Sequence, residues 1–298
     1  MILARIGVYF VILMKLIECP RDAMQGLHDF VPTEEKIRYI NQLLKVGFDT
    51  IDFGSFVSEK AVPQMRDTAE LLAGLDLADT KSKLLAIVAN LKGAQNAVIH
   101  PEINYLGYPF SVSETFQLRN TNKTIAESFS LVSDINELCE KTEKQLVVYI
   151  SMGFGNPYGD PWDPQLVVDW CGKLSEECGV KIMALSDTVG VSTPANIVPL
   201  FETLIPSLPS VEFGAHLHTT PDFWREKVEA AMSSGCNRFD GALRGFGGCP
   251  MAADTLTGNM PTEHVVAFIE ERGIEHGLNL TAFEESLKIA GQLFGKYS

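Results

Sequence analysis

Lys15-Leu16-Ile17-Glu18-Cys19-Pro20-Arg21-Asp22-Ala23-Met24-Gln25 reads as a short apolar strand that runs straight into a proline and a polar cluster. Strands this short and apolar suit a parallel sheet buried on both faces, where polar alternation is lost. Seven more segments of the same kind follow, at residues 50–54, 84–89, 109–112, 146–151, 182–186, 211–218 and 238–242. Helical patterns lie between them. Pro32-Thr33-Glu34-Glu35 opens one, continued by Ile37, Ile40, Leu43 and Leu44 at helical spacing. Thr124 opens another, with Ile125, Phe129, Leu131 and Ile135. Pro194 and Pro221 stand where a first-turn proline is tolerated. Eight strand–helix alternations in 298 residues predict an α/β fold, a closed (β/α)8 TIM barrel with a short helical tail from residue 280 to 298. An open doubly wound sheet is the competing arrangement, but no Gly-x-Gly-x-x-Gly follows the first strand.

The expected organisation is an N-terminal extension over residues 1–14 and a single barrel domain over 15–298. An apolar run at residues 6–14 is too short to span a membrane, and no small-x-small cleavage site follows it, so a cytoplasmic protein is expected. With 46% hydrophobic residues the chain can bury a large core. Its net charge of −14 repels phosphate backbones and anionic lipid, which argues against nucleic acid and membrane as partners. An anionic substrate would need a local cation to overcome that field. The six cysteines show no CxxC or Cys/His zinc spacing and read as reduced thiols.

In such a barrel, chemistry sits at the C-terminal ends of the strands. Arg21 and Asp22 follow the first strand. Alone they would be an ordinary ion pair; at a barrel mouth Asp22 can hold a metal ion, and Arg21 can face a developing enolate oxygen. His216 and His218 end the seventh strand. Residues two apart on a strand share a face, and two imidazoles about 7 Å apart along it can converge on one ion. Gly245-Phe246-Gly247-Gly248-Cys249-Pro250 forms a glycine-rich loop, in which Cys249 is either a small buried hydrophobe or an acid/base thiol. Asn259, just downstream, offers an amide oxygen as a fourth ligand. One carboxylate, two imidazoles and an amide suit Mg2+ or Mn2+ better than structural zinc. Three further residues stand at strand ends or turns: Asp52, Asp187 and Asn122. Each is a candidate for substrate binding or support, and each also fits a cap or turn.

With those motifs in order, the chain resembles the 3-hydroxy-3-methylglutaryl-CoA lyase family of the metal-dependent lyase/aldolase barrels. The resemblance runs from about Leu16 to Gly273. Its markers are Pro-Arg-Asp-x-x-Gln at 20–25, Ser-Phe-Val-Ser-x-Lys-x-Val-Pro-Gln-Met at 55–65 and Asn90-Leu91-Lys92-Gly93. They continue with Asp187-Thr188-Val189-Gly190-Val191, His216-x-His218, and Gly-Gly-Cys-Pro with Gly-Asn downstream. It implies a divalent-metal-dependent carbon–carbon lyase that splits a tertiary β-hydroxy thioester into a keto acid and acetyl-CoA. It implies Asp22, His216, His218 and Asn259 as metal ligands, with Arg21, Cys249 and Asp52 in the chemistry. Gln25, Ser55, Asn122 and Asp187 would contact an acyl-CoA or small hydroxy-acid substrate. Dimers are frequent in the family, so a homodimer is allowed. Five departures surround the substrate more than the metal: Asp52 replaces the usual Glu, Cys19 the usual Gly and Thr219 the usual Asp, the loop from Cys249 to Asn259 is one residue longer, and Ser151-x-x-x-Gly155, followed by Asn156, stands where the family has Cys-x-x-x-Cys. They leave a related pyruvate or acyl-CoA aldolase or synthase as the alternative reading.

Overall fold

A computed structural model describes residues 14–248 and 257–297 of the chain. The expected extension, apart from Met14, lies outside these residues, and so does Cys249. Eight strands form the frame: β1 (Lys15–Glu18), β2 (Thr50–Ser55), β3 (Lys83–Ile87), β4 (Ile103–Ser111), β5 (Gln145–Ser151), β6 (Ile182–Asp187), β7 (Glu212–Thr219) and β8 (Arg238–Gly241). Each pairs in parallel with its neighbours in sequence, and β1 pairs with β8 to close the ring. This is the (β/α)8 barrel, with helices packed between the strands and a C-terminal helix over Leu280–Tyr297.

Two apolar layers hold it together. The larger lies between the strands and the surrounding helices, and the C-terminal helix joins it through Phe294, which packs on Tyr39 and stacks on Phe246. The smaller fills the lower barrel interior with Leu85, Tyr105, Val147, Tyr149, Ile182 and Ala184. That plug leaves the mouth, at the C-terminal strand ends, to polar side chains. A two-residue strand, β9 (Gly258–Asn259), runs antiparallel to the end of β7 and sets Asn259 opposite His218.

Two local expectations are corrected. β4 begins at Ile103 rather than at residue 109. Proline lacks an N–H and is easiest to place as a strand's first residue, whereas here Pro109 lies inside the strand, opposite Tyr149. The helix after β7 begins at Trp224, so Pro221 sits in a preceding turn rather than in its first turn. Among the described residues no helix is long and apolar enough to cross a membrane.

Candidate active site

β1 ends at Glu18, and Pro20 starts a six-residue helix (Pro20–Gln25) that turns Arg21 and Asp22 back over the mouth. Asp22 is buried and fully engaged. One oxygen accepts from Arg21 Nη1 at 2.9 Å and from Gln25 Nε2 at 2.6 Å; the other accepts from Asn259 Nδ2 at 2.7 Å. Burial alone would raise its pKa, but Arg21, the two histidines and Asn259 bring it below the usual carboxylate value. Arg21 is clamped by Asp52, to which its Nε donates at 3.0 and 3.2 Å and its Nη2 also donates. Nη1 is shared between Asp22 and Gln25 Oε1, the latter at 2.9 Å. Burial pushes the Asp52 carboxyl up to about 6 despite Arg21. The guanidinium is thus held rigidly and still lines the cleft.

Across the mouth, β7 presents His216 and His218 with ring centroids 5.5 Å apart. His216 Nδ1 lies 3.2 Å from Asp240 Oδ2 on β8. Burial lowers the pKa of His216, but the hydrogen bond and charge of Asp240 carry it above the ordinary value. With its proton on Nδ1, facing an acceptor, the ring keeps a lone pair on Nε2. His218 is pushed down to about 4 by burial and by His216, so its ring is neutral at pH 7. Both of its nitrogens are buried without a hydrogen-bond partner among the described residues. Ligand atoms of Asp22, His216 and His218 all lie within 4.8 Å of one another. A buried neutral imidazole with no partner, beside an ionised carboxylate and a second imidazole, fits a divalent cation.

The other residues expected at the site divide. Gln25 and Ser55 line the same cleft. Asn259 is adjacent, but its amide nitrogen faces Asp22 and Phe246 O, and ligation through its oxygen needs the amide to turn. Asn122 does not line the cleft. It ends the helix Glu114–Thr121 in the left-handed conformation (φ 54°), which asparagine tolerates, and its neighbours Asn120 and Thr121 line the cleft instead. Asp187 also lies away from the cleft. Its oxygens accept from Val191 N at 2.8 Å, Ser192 N at 2.9 Å, the Ser192 hydroxyl and Lys227 Nζ at 2.9 Å. Ser186 and Thr188 on either side of it line the cleft. Tyr149 and Asp240 belong to the site without having been singled out in the sequence, and Ser151, which the sequence marks only as a departure from the family pattern, lines the cleft as well. Period-two counting puts Tyr149 on the same face of β5 as Ser151, but nothing in the sequence says which face of β5 or β8 meets the site.

A closed barrel with a cation-competent centre at its C-terminal mouth, faced by a clamped arginine, has the layout of a metal-dependent barrel enzyme. Comparison with known proteins narrows the class. The HMGL-like family matches residues 15–289, and the chain belongs to that family of divalent-metal-dependent carbon–carbon lyases. The hydroxymethylglutaryl-CoA lyase of Bacillus subtilis is 31% identical over 93% of this chain and 91% of its own length. A 3-hydroxy-3-isohexenylglutaryl-CoA/hydroxymethylglutaryl-CoA lyase of Pseudomonas aeruginosa is 30% identical over 95% and 93%. The solved structure of an HMG-CoA lyase from Acinetobacter baumannii, in complex with coenzyme A and 3-methylmalate, superposes with a TM-score of 0.88 at 32% identity. It covers 97% of this chain and 93% of that one.

Proposed function

We propose that this lyase cleaves 3-hydroxy-3-methylglutaryl-CoA to acetyl-CoA and acetoacetate, with Mg2+ or Mn2+ held by Asp22, His216, His218 and the amide oxygen of Asn259. The carrying observation is the donor triad with its unpartnered His218 ring, set beside a clamped Arg21. A cation bound there supplies Lewis acidity toward the hydroxyl and acyl oxygens of the substrate. As the hydroxyl gives its proton to water in the cleft, its carbon becomes the ketone and the electrons of the broken C–C bond pass to the acetyl enolate; solvent restores the proton that the enolate carbon then takes up, so none is consumed overall. Arg21, fixed by Asp52 and Gln25, offers positive charge to that enolate oxygen and needs no reorganisation to do so. Asp52 therefore acts by orienting Arg21. Cys249 returns a proton to the enolate carbon, a role that rests on the sequence resemblance. Gln25 and Ser55 contact the acyl portion.

A thioester with a longer apolar branch is a second reading, favoured by the apolar cleft wall of Val57, Ala61, Val62, Ile87 and Phe116. The test is release of acetyl-CoA from 3-hydroxy-3-methylglutaryl-CoA with Mg2+ or Mn2+, beside a Cys249→Ala control. Metal-dependent product that drops by about 10²-fold or more in the control is expected for a lost proton-transfer group. No product from folded, metal-loaded protein refutes this substrate, and turnover of the long-branched thioester alone supports the second reading.

A further inference from the structure

Beneath the donor triad, the barrel interior holds charges that this chemistry does not use. Arg238 and Asp240 stand two apart on β8 and so share a face of the strand. Both are buried, Arg238 completely. Arg238 Nη1 donates to Glu212 Oε1 on β7 at 3.3 Å, and Arg238 Nε lies 3.9 Å from Asp240 Oδ1. Glu212 also pairs with Lys15 of β1, the residue in register with Arg238. The other oxygen of Asp240 takes His216 Nδ1. A continuous line of contacts therefore runs up three adjacent strands, from Lys15 through Glu212, Arg238 and Asp240 to His216.

The interior is shaped for this line. A Cβ on Gly214 would lie 2.8 Å from Arg238 Cδ, so the glycine makes room for the arginine stem. Asp240 Oδ1, Arg238 Nε and Arg238 Nη2 have no hydrogen-bond partner among the described residues. Among the described residues, Arg238 is the one arginine or lysine paired with Asp240, whose other partner is His216. A buried carboxylate and a buried guanidinium that face each other each fix where the other can sit, because leaving either alone in the interior is costly.

We propose that Arg238 is a positioning residue for the metal centre. It holds the Asp240 carboxylate, which holds the His216 ring by Nδ1 and keeps Nε2 turned toward Asp22 and His218. This rests on the reading of His216 as a ligand. Partners that orient a ligating histidine typically contribute about 10–100-fold to metal affinity. The test uses full-length apoprotein and reads binding rather than turnover: Mn2+ affinity by paramagnetic resonance of the free ion, and the visible spectrum of the Co2+-loaded protein. Arg238→Met is expected to bind Mn2+ about 10–100-fold more weakly and to change the cobalt spectrum. Arg238→Lys, which keeps charge but cannot span Glu212 and Asp240, is expected to fall between. If Arg238→Met does not fold, as circular dichroism would show, Arg238→Lys decides alone. Variants that fold, bind Mn2+ within about twofold of wild type and keep its cobalt spectrum overturn the proposal; such a change lies well below the expected range. His216→Ala separates the two layers of inference. Unchanged affinity there removes the ligand reading and this proposal with it. Loss of affinity there, with none in the Arg238 variants, removes only the positioning role.

Discussion

Asp187 is the residue whose role turns most on strand parity. The side chains of Ser186 and Thr188 line the cleft, and the residue between them points to the other face. There its carboxylate is the counter-charge of Lys227, which also donates to His218 O at 2.8 Å and Gly190 O at 3.2 Å. Asp187 thus ties down the loop after β6 and, through Lys227, the backbone of His218. Asp187→Asn leaves a buried lysine without its counter-charge, a change that costs ~3–5 kcal/mol. The expected outcome is a melting temperature lower by several degrees, with KM for the thioester within about threefold of wild type. A tenfold rise in KM with an unmoved melting temperature would return Asp187 to the substrate. The same parity was legible in advance at His216 and His218, because two histidines two apart advertise a shared face. It was not legible at Asp187, where a carboxylate at a strand end looks alike on either face. Tyr149, Arg238 and Asp240 carry no motif at all. Only the register of β5, β7 and β8, which puts His216 opposite Asp240, brings them to the site.

At the scale of elements, most strands were readable to within a residue or two, because a barrel strand covered on both faces is a short apolar block between turn signals. β4 was the exception, since Asn104, Gly107 and Pro109 break up its apolar run. Once folded, the Asn104 side chain accepts from Leu84 N at 2.9 Å, a contact that no pattern announces. The junction at the end of β1 has a similar hidden device. Glu18 is fully buried and accepts from Leu243 N at 2.8 Å and from the Thr262 hydroxyl at 2.6 Å. It thereby joins β1 to the turn after β8 and to the start of the helix Thr262–Glu271. Burial raises its pKa from 4.5 to about 8, against the pull of those two hydrogen bonds. Because the folded state holds this proton more tightly than the unfolded chain, its contribution to stability is whole below pH 4.5 and is lost as pH rises toward about 8. The slope from this group approaches ~1.4 kcal/mol per pH unit within that window. Glu18→Gln keeps an acceptor for Leu243, and the Thr262 hydroxyl can rotate to accept from the new amide. Urea denaturation between pH 5 and 8 is therefore expected to show the variant gaining on wild type as pH rises. Parallel stability curves across that range would remove Glu18 as the source.

For the whole molecule, the donor triad bridges parts of the chain that only the closed barrel brings together. Asp22 follows the first strand and the two histidines end the seventh, with β8 between them in the ring. An unfolded chain cannot present these three groups to one ion, so cation binding should report on the integrity of the ring itself. A ligand that binds only the folded state at 100 times its Kd adds about 2.7 kcal/mol of stability. At roughly 2–4 °C per kcal/mol, the melting temperature should rise by roughly 5–10 °C when Mn2+ is raised from nothing to that level. Chelation should reverse the rise, and His218→Ala, which removes a buried donor without touching the strand pairing, should abolish it. Differential scanning calorimetry of the two proteins with and without the ion makes the comparison. A wild-type rise that survives in His218→Ala would mean that the ion stabilises the protein elsewhere, for example on its acidic surface. If wild type binds Mn2+ yet melts at an unchanged temperature, the unfolded chain must hold the ion as tightly as the barrel does, and the ring would not be what assembles the site.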